Sequence, residues 1–479
     1  MNTAFCCAET QSLKERIRVP PRTLENSLQL LRTGILCDTE RTADATPYKD
    51  IPRHRKVILL SIRNCLVEYD LRRLLTRYRD TLNAVAVTYP SITSDEDQSR
   101  FPDVLQTLGC ALKELPVLQY VRVAAAWPSC FSSSFLQNLV QCDKLRTLLL
   151  VSTTFDFGDV KFRFPQLERI SIRETAPFVF ENGSQSINLA DLNTLKAVCV
   201  WARRPLILPA NAALVALEIS EILSLEHQGS LVLEVLRAKN CPLRIVKTLI
   251  IQSKNLRQLT IACSNRTYLK NFAIDARGMD YLSLTNIDRV CIFSSAEKPL
   301  TALHLSRTTL DGPKAGDIFA KSLCLAYDLL SAPSQLMAKI CPSTLKVLVI
   351  GPGHLRVPLL TEVDKYAMAT ITRVTDGLEV FGTFAPIKEL PSMPHLKCLG
   401  IYSYKPHLLK NLMPRGLHLG LSSASMDDHS FFTSVPSHYL LGNVVAKIAC
   451  YVSEYGFWEA MNARTDVLNF KPYSFDWTH

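Results

Sequence analysis

At 479 residues, with 47% hydrophobic and 20% charged side chains, 17 glycines and 26 prolines, the chain has a globular composition, which excludes a disordered or fibrous protein. Its 54 Lys and Arg against 44 Asp and Glu leave a net charge of +10. That excess draws acidic partners over long range, but it is screened within about 10 Å at ordinary salt and is too dilute to argue nucleic-acid binding by itself.

The opening stretch MNTAFCCAETQSLKERIRV has no charged head followed by a long apolar core, and Glu9 and Glu15 argue against a transit peptide. No apolar run approaches the roughly 18 residues of a membrane span. Fifteen cysteines stand singly apart from Cys6 and Cys7, and none shows the C-x-x-C spacing of a zinc or redox site. The expectation is a soluble protein with reduced, buried thiols, in the cytoplasm first and the nucleus second. The triplets at Asn182 (N-G-S) and Asn265 (N-R-T) are then chance matches to the glycosylation pattern. Residues 1–50 hold RVPPRTLENSLQLLRTGIL, a proline-flanked helix candidate, and the polar linker CDTERTADATPYKD. Together they are predicted as an N-terminal cap segment.

From residue 51 a different rhythm begins. In PLTALHLSRTTL the apolar residues fall at Leu300, Leu303, Leu305 and Leu310, which fits neither a helix at period 3.6 nor a plain strand at period 2. The same spacing, L-x-x-L-x-L-x-x-(N/C/T)-x-L, recurs in VILLSIRNCLV from Val57, LNAVAVTYPSI from Leu82, LRTLLLVSTTF from Leu145, LEVLRAKNCPL from Leu233 and LKVLVIGPGHL from Leu345. Its first half recurs from Leu118, Leu167, Leu195, Leu214, Leu256, Met279, Leu396 and Pro414. These fourteen starts lie on average about 27 residues apart between 57 and 414, the period of a solenoid.

Between the strands, Phe135, Leu136, Leu139 and Val140 recur at helical spacing. From Leu233 to Leu305 the alternations VKTLII, LKNFAI and DRVCIF predict a second strand per coil. Two long intervals each hide a further repeat: DIFAKSLCLAYDLLSAPSQLMAKI is predicted as one or two helices, and LEVFGTFAPI, from Leu378, as a degenerate strand. The segment 426–479 contains SHYLLGNVVAKIACYVSEYGFWEAM, in which Tyr439, Leu440, Val444, Ile448, Val452 and Phe457 share one helical face. It is predicted as a helical, aromatic-rich cap over the last repeat, because an exposed solenoid core needs closing.

Over residues 51–425 this pattern resembles the leucine-rich repeat family. The resemblance implies an α/β solenoid in which each L-x-L is a short strand of a concave parallel sheet, with mixed helices and short strands on the convex side. It also implies that the ninth position of each repeat hydrogen-bonds the following turn. That place holds Cys65, Thr153, Cys241 and Thr308 here, so the ladder is expected to draw partly on backbone and water. The stretch from Leu24 to Ile62 faintly resembles the later part of an F-box running into its first repeat, although the leading L-P-x-E is absent and a polar stretch stands where later helices belong. That resemblance implies an alternative role as substrate receptor of a ubiquitin ligase.

Enzyme signatures are missing from the sequence: there is no G-x-S-x-G, no H-E-x-x-H and no phosphate loop, DGPKAGDIFAKS having the wrong order. His304 and His418 take outward strand positions with no carboxylate fixed beside them, which favours surface histidines over acid/base groups. The expectation is a non-enzymatic scaffold without cofactor, holding a protein partner of acidic character; membranes, nucleic acids and small-molecule substrates are disfavoured. Candidate binding residues are the outward positions Arg173, Trp201, Arg237, Lys239, Arg257, Tyr281 and His304, a Trp and a Tyr interleaved with arginines as at protein interfaces. The competing reading is a solvated sheet, its charges paired across strands with Glu168, Glu174, Glu218, Glu221 and Glu234.

Overall fold

The repeated L-x-L segments are strands, and they pair in parallel in the order in which the chain makes them. The structure, a computed structural model, describes residues 34–38, 57–61, 75–76, 78–89, 95–125, 129–175, 185–210, 214–227, 229, 231–264, 270–310, 317–327, 339–352, 377–383, 395, 398–401 and 418–421. The chain divides into two units, one running to Asn255 and the other starting at Leu256.

In the first unit the parallel strands are β1 (Gly34–Asp38), β2 (Val57–Ser61), β3 (Ala84–Tyr89), β4 (Tyr120–Ala125), β5 (Thr147–Ser152), β6 (Arg169–Glu174), β7 (Ala197–Trp201), β8 (Ala216–Ser220) and β9 (Val235–Lys239). Each hydrogen-bonds the next. In the second unit β10 (Gln258–Ala262), β11 (Tyr281–Thr285), β12 (Leu300–Ser306), β13 (Ala320–Tyr327), β14 (Val347–Pro352), β15 (Val380–Thr383), β16 (Cys398–Ile401) and β17 (His418–Leu421) follow the same rule. A parallel-sheet solenoid is therefore the architecture of each unit.

Register follows from burial. With a side-chain period of two, one face of every strand must carry the apolar set. Leu148, Ile170, Val198, Leu217 and Leu236 form one row across β5 to β9, all fully buried. Leu259, Leu282 and Leu303 form the equivalent row in the second unit, continued by Leu323, Leu348 and Phe381. The leucine that opens each repeat, such as Leu145, Leu167 and Leu195, is buried just ahead of its strand. There one carbonyl of the preceding coil takes two amides: Gln119 O accepts from Arg146 N (2.8 Å) and Thr147 N (3.0 Å), and Glu168 O from Lys196 N (2.8 Å) and Ala197 N (3.1 Å).

The chain leaves several strands through a left-handed residue. Glu221, Asn240, Asn286 and Arg307 have φ of 61°, 52°, 57° and 47°, each directly after β8, β9, β11 or β12. Asn tolerates that region; Glu and Arg hold it against a steric cost of roughly 1–2 kcal/mol. The ninth-position side chains bond backbone at the strand exits or in the neighbouring coil. Thr153 Oγ1 accepts from Ser129 N at 3.1 Å, Cys241 Sγ donates to Lys239 O at 3.3 Å, and Thr308 Oγ1 donates to Ser306 O (3.0 Å) and Leu284 O (3.1 Å). Hydroxyls and thiols thus do the work expected of a regular Asn.

The connecting segments match the predicted helix at 135–140 and depart from the prediction elsewhere. That helix is α2 (Ser133–Val140), capped by Ser132 Oγ accepting from Phe135 N and burying Phe135, Leu136 and Leu139. The predicted strands LKNFAI and DRVCIF are present as Lys270–Asp275 and Asp288–Phe293, paired in parallel, and LEVFGTFAPI contributes β15. VKTLII is not a strand. It lies in α3 (Leu243–Gln252), because Ile245, Val246 and Leu249 share one buried helical face that an alternating strand would split. DIFAKSLCLAY is not helical over its described residues: it enters β13, where Leu323 and Leu325 point into the core and Ser322 and Cys324 to the other face. Gly34, Ile35 and Leu36, read as the end of a helix, belong instead to β1. The rest of the stretch predicted as an N-terminal helix, Cys65 and the segment 426–479 predicted as a cap lie outside the described residues.

A long helix absent from the sequence reading, α1 (Asp95–Lys113), packs on α2. Gly109 makes this approach achievable, since a Cβ there would meet Asn138 Cβ at 3.0 Å and the Phe135 ring at 3.1 Å. Behind the first unit's sheet, Tyr89, Phe101, Phe131, Phe155, Phe157, Phe162 and Phe164 form a chain of ring contacts with centroids 5.2–6.4 Å apart. Arg204 lies over Phe157 at 5.1 Å, donates from Nη2 to Phe155 O at 2.8 Å and from Nε to Glu174 Oε1 at 2.8 Å. Among the described residues no helix is long and apolar enough to cross a membrane.

Candidate functional site

Aligning β6 to β9 in register makes two rows on the sheet face opposite the leucines. One row runs Ser171, Cys199, Glu218, Arg237; the next runs Arg173, Trp201, Ser220, Lys239. Small Ser220 leaves room beside Trp201, whose indole leans toward β8 and donates from Nε1 to Glu218 Oε1 at 2.8 Å. The Arg173 guanidinium lies over the ring from the β6 side, 4.3 Å from its centroid, and the Lys239 ammonium approaches from the β9 side at 5.6 Å. The indole is consequently half-buried, where the sequence reading had it exposed. Cation–π contact holds it in one orientation.

Glu218 is the carboxylate of this cluster. It is buried, accepts the indole N–H, and has Arg237 Nη1 4.0 Å from its Oε2. Arg173 Nη2 reaches Cys199 Sγ at 3.7 Å. Burial, with Glu218 adding to it, pushes the Cys199 thiol up to about 11, so Arg173 meets a neutral thiol and its charge is not cancelled there. Neither Arg173 nor Lys239 has a carboxylate within ion-pair distance among the described residues. The cluster can therefore offer a ligand two cations gathered round one indole.

In the second unit the candidates divide. Tyr281 and His304 take outward positions of β11 and β12, both half-buried. His304 Nδ1 lies 3.4 Å from Ser283 Oγ, with Cys324 in register on β13. Burial pushes the imidazole down to about 4, which keeps it neutral at pH 7. Arg257 is a correction to the sequence reading. It precedes β10 instead of occupying an outward strand position, and donates from Nε (2.7 Å) and Nη2 (2.6 Å) to Asp280 Oδ2, whose Oδ1 lies 3.7 Å from Lys298 Nζ. Arg257 is committed to an ion pair at the strand entry. Lys196 likewise sits ahead of β7 and pairs with Glu168 at 3.2 Å.

Arg173, Trp201, Arg237 and Lys239 are thus brought together by the structure; Tyr281 and His304 belong to the second unit, and Arg257 to its strand entries. Glu218 and Cys199 were missed as members of the site. The signal was the alignment of AVCVW, ALEIS and VLRAK, which puts Cys199, Glu218 and Arg237 in one column and Trp201, Ser220 and Lys239 in another. Among the described residues no three His, Cys, Asp or Glu side chains converge as metal ligands. No protein-family model and no curated protein matches this sequence.

Proposed function

We propose that the chain is a leucine-rich repeat protein acting as a non-enzymatic scaffold, and that it binds a protein partner on the concave face of its parallel sheet. The observation that carries this reading is the Trp201 platform. An indole oriented by Glu218, flanked by Arg173 and Lys239 and adjoining Arg237, has the aromatic and cationic composition that dominates interface energetics. Pre-ordering the ring lowers the entropy lost on binding. The buried thiols Cys199 and Cys263, outside any disulfide, support a reducing compartment, the cytoplasm before the nucleus. The plain scaffold is preferred to a ubiquitin-ligase receptor because Gly34–Asp38 is a strand paired with Val57–Ser61, within the stretch a helical docking hook would need.

The test is quantitative capture from the source cell on the intact chain, on Trp201→Ala, on Arg237→Ala and on the exposed control Lys161→Ala. A partner retained by the parent and the control, and depleted at least tenfold by Trp201→Ala, supports the reading. Equal retention by all four refutes this surface. Recovery of a ubiquitin-ligase adaptor bound through residues 1–50 would favour the receptor.

A further inference from the structure

The cations on this face are unequal. Arg237 adjoins Glu218 at 4.0 Å, and Glu218 is further engaged by the indole. Arg173 and Lys239 stand one row further along, where the residues between them are Trp201 and Ser220 and no acidic side chain separates them. The Nε of Arg173 is a buried donor without an acceptor, and its Nη2 has only a sulfur at 3.7 Å. The Arg173 charge therefore has no carboxylate partner among the described residues, and it is the guanidinium as a charge, not its buried Nε, that a ligand can meet. Lys239 is exposed. Both cations approach the same indole, and distances of 4.3 and 5.6 Å to its centroid bring the charged groups to within about 10 Å of each other.

That separation suits a particular ligand. In an extended chain, residues two apart project to the same side about 7 Å from each other, and an Asp or Glu side chain makes up the remaining reach. Building on the scaffold reading above, we infer that the Arg173, Trp201, Lys239 row binds an extended acidic segment of a partner protein, carrying two carboxylates two residues apart. One carboxylate meets the Arg173 guanidinium and the other the Lys239 ammonium, while the side chain of the residue between them points away from the sheet. Charge complementarity selects this occupant. The buried carboxylate of Glu218 in the adjoining row disfavours a uniform polyanion such as nucleic acid.

Selection of a random heptapeptide display library on the immobilised full chain tests the inference, run in parallel on Arg173→Gln/Lys239→Gln and on Trp201→Ala, each variant first checked for a parental circular dichroism spectrum. The expected result is enrichment of peptides with Asp or Glu at positions i and i+2. Synthetic copies should bind the parent at least tenfold tighter than the double variant, and should weaken when the acids are replaced by Asn or when salt is raised. If the selected peptides lack the acidic pair but still require Trp201, the acidic inference falls and the interaction surface stands. If peptides are retained by Trp201→Ala, both fall. A labelled single-stranded oligonucleotide that binds tighter than the best peptide, and is lost on the double variant, would also overturn the assignment.

Discussion

Replacing Arg204 by Met keeps an apolar stem over Phe157 and removes the charge, and it should cost far more at pH 7 than at pH 4.5. Arg204 and Glu174 form a buried pair, with side-chain exposures of 12% and 4%, joined at 2.8 Å. Burial of Glu174, outweighing the attraction of Arg204, already raises its carboxyl above the usual 4.5. Without Arg204 the carboxylate is left in a site that cannot hold a charge, and its escape is to take up a proton. Protonating a carboxyl whose ordinary value is 4.5 costs, at pH 7 and about 1.36 kcal/mol per pH unit, roughly 3.4 kcal/mol, which caps the electrostatic penalty. The carbonyl of Phe155 also loses its 2.8 Å donor, worth about 1–3 kcal/mol. The expected loss is therefore about 4–6 kcal/mol at pH 7, above the 3–5 kcal/mol usual for breaking a buried pair only if both penalties are paid in full. At pH 4.5 it should shrink to about 1–3 kcal/mol. The sign agrees with linkage: a raised carboxyl stabilises the folded state below its ordinary pKa and loses that contribution as pH rises. Urea denaturation followed by far-UV circular dichroism at both pH values, on parent and Arg204→Met, measures it. A loss under 1 kcal/mol at pH 7, or one that does not change with pH, would refute the argument.

Leu303→Asp puts an unpaired charge in the fully formed core row of the second unit and should lower stability by several kcal/mol, read as a shift of the urea midpoint. His304, held neutral beside Ser283 and Cys324, is depressed from 6.5 to about 4, so its contribution is present above pH 6.5 and is lost as pH falls toward 4, on the order of 3 kcal/mol in all. His304→Gln should flatten the stability profile across that window, and an unchanged slope would contradict the assignment. Under native conditions iodoacetamide should label exposed Cys130 well before buried Cys199, Cys241 and Cys263, as peptide mapping by mass spectrometry would report.

How much of this was legible in advance depended on whether neighbours in sequence carried the information. The spacing of Leu145, Leu148 and Leu150, and of Leu300, Leu303 and Leu305, determined parallel strands in chain order, because a strand with one apolar face has a single register that buries it. The column Cys199, Glu218 and Arg237 was implicit in the alignment of the repeats but was recognised only in the paired strands. The connecting segments were less legible. VKTLII and SLCLAY are both short apolar runs, and such runs fit helix or strand equally until the packing partner is known. Only the tertiary structure decided that Ile245, Val246 and Leu249 bury a helical face, that SLCLAY adds a strand to β12, and that Gly109 admits α2 against α1. Side-chain chemistry was decided last. Whether an arginine is spent or available depends on atoms brought from other coils: Asp280 engages Arg257, Glu174 engages Arg204, and Arg173 finds an indole and a thiol. Composition counted these arginines alike, because charge pairing is settled by distances of 3–4 Å that no single strand's sequence contains.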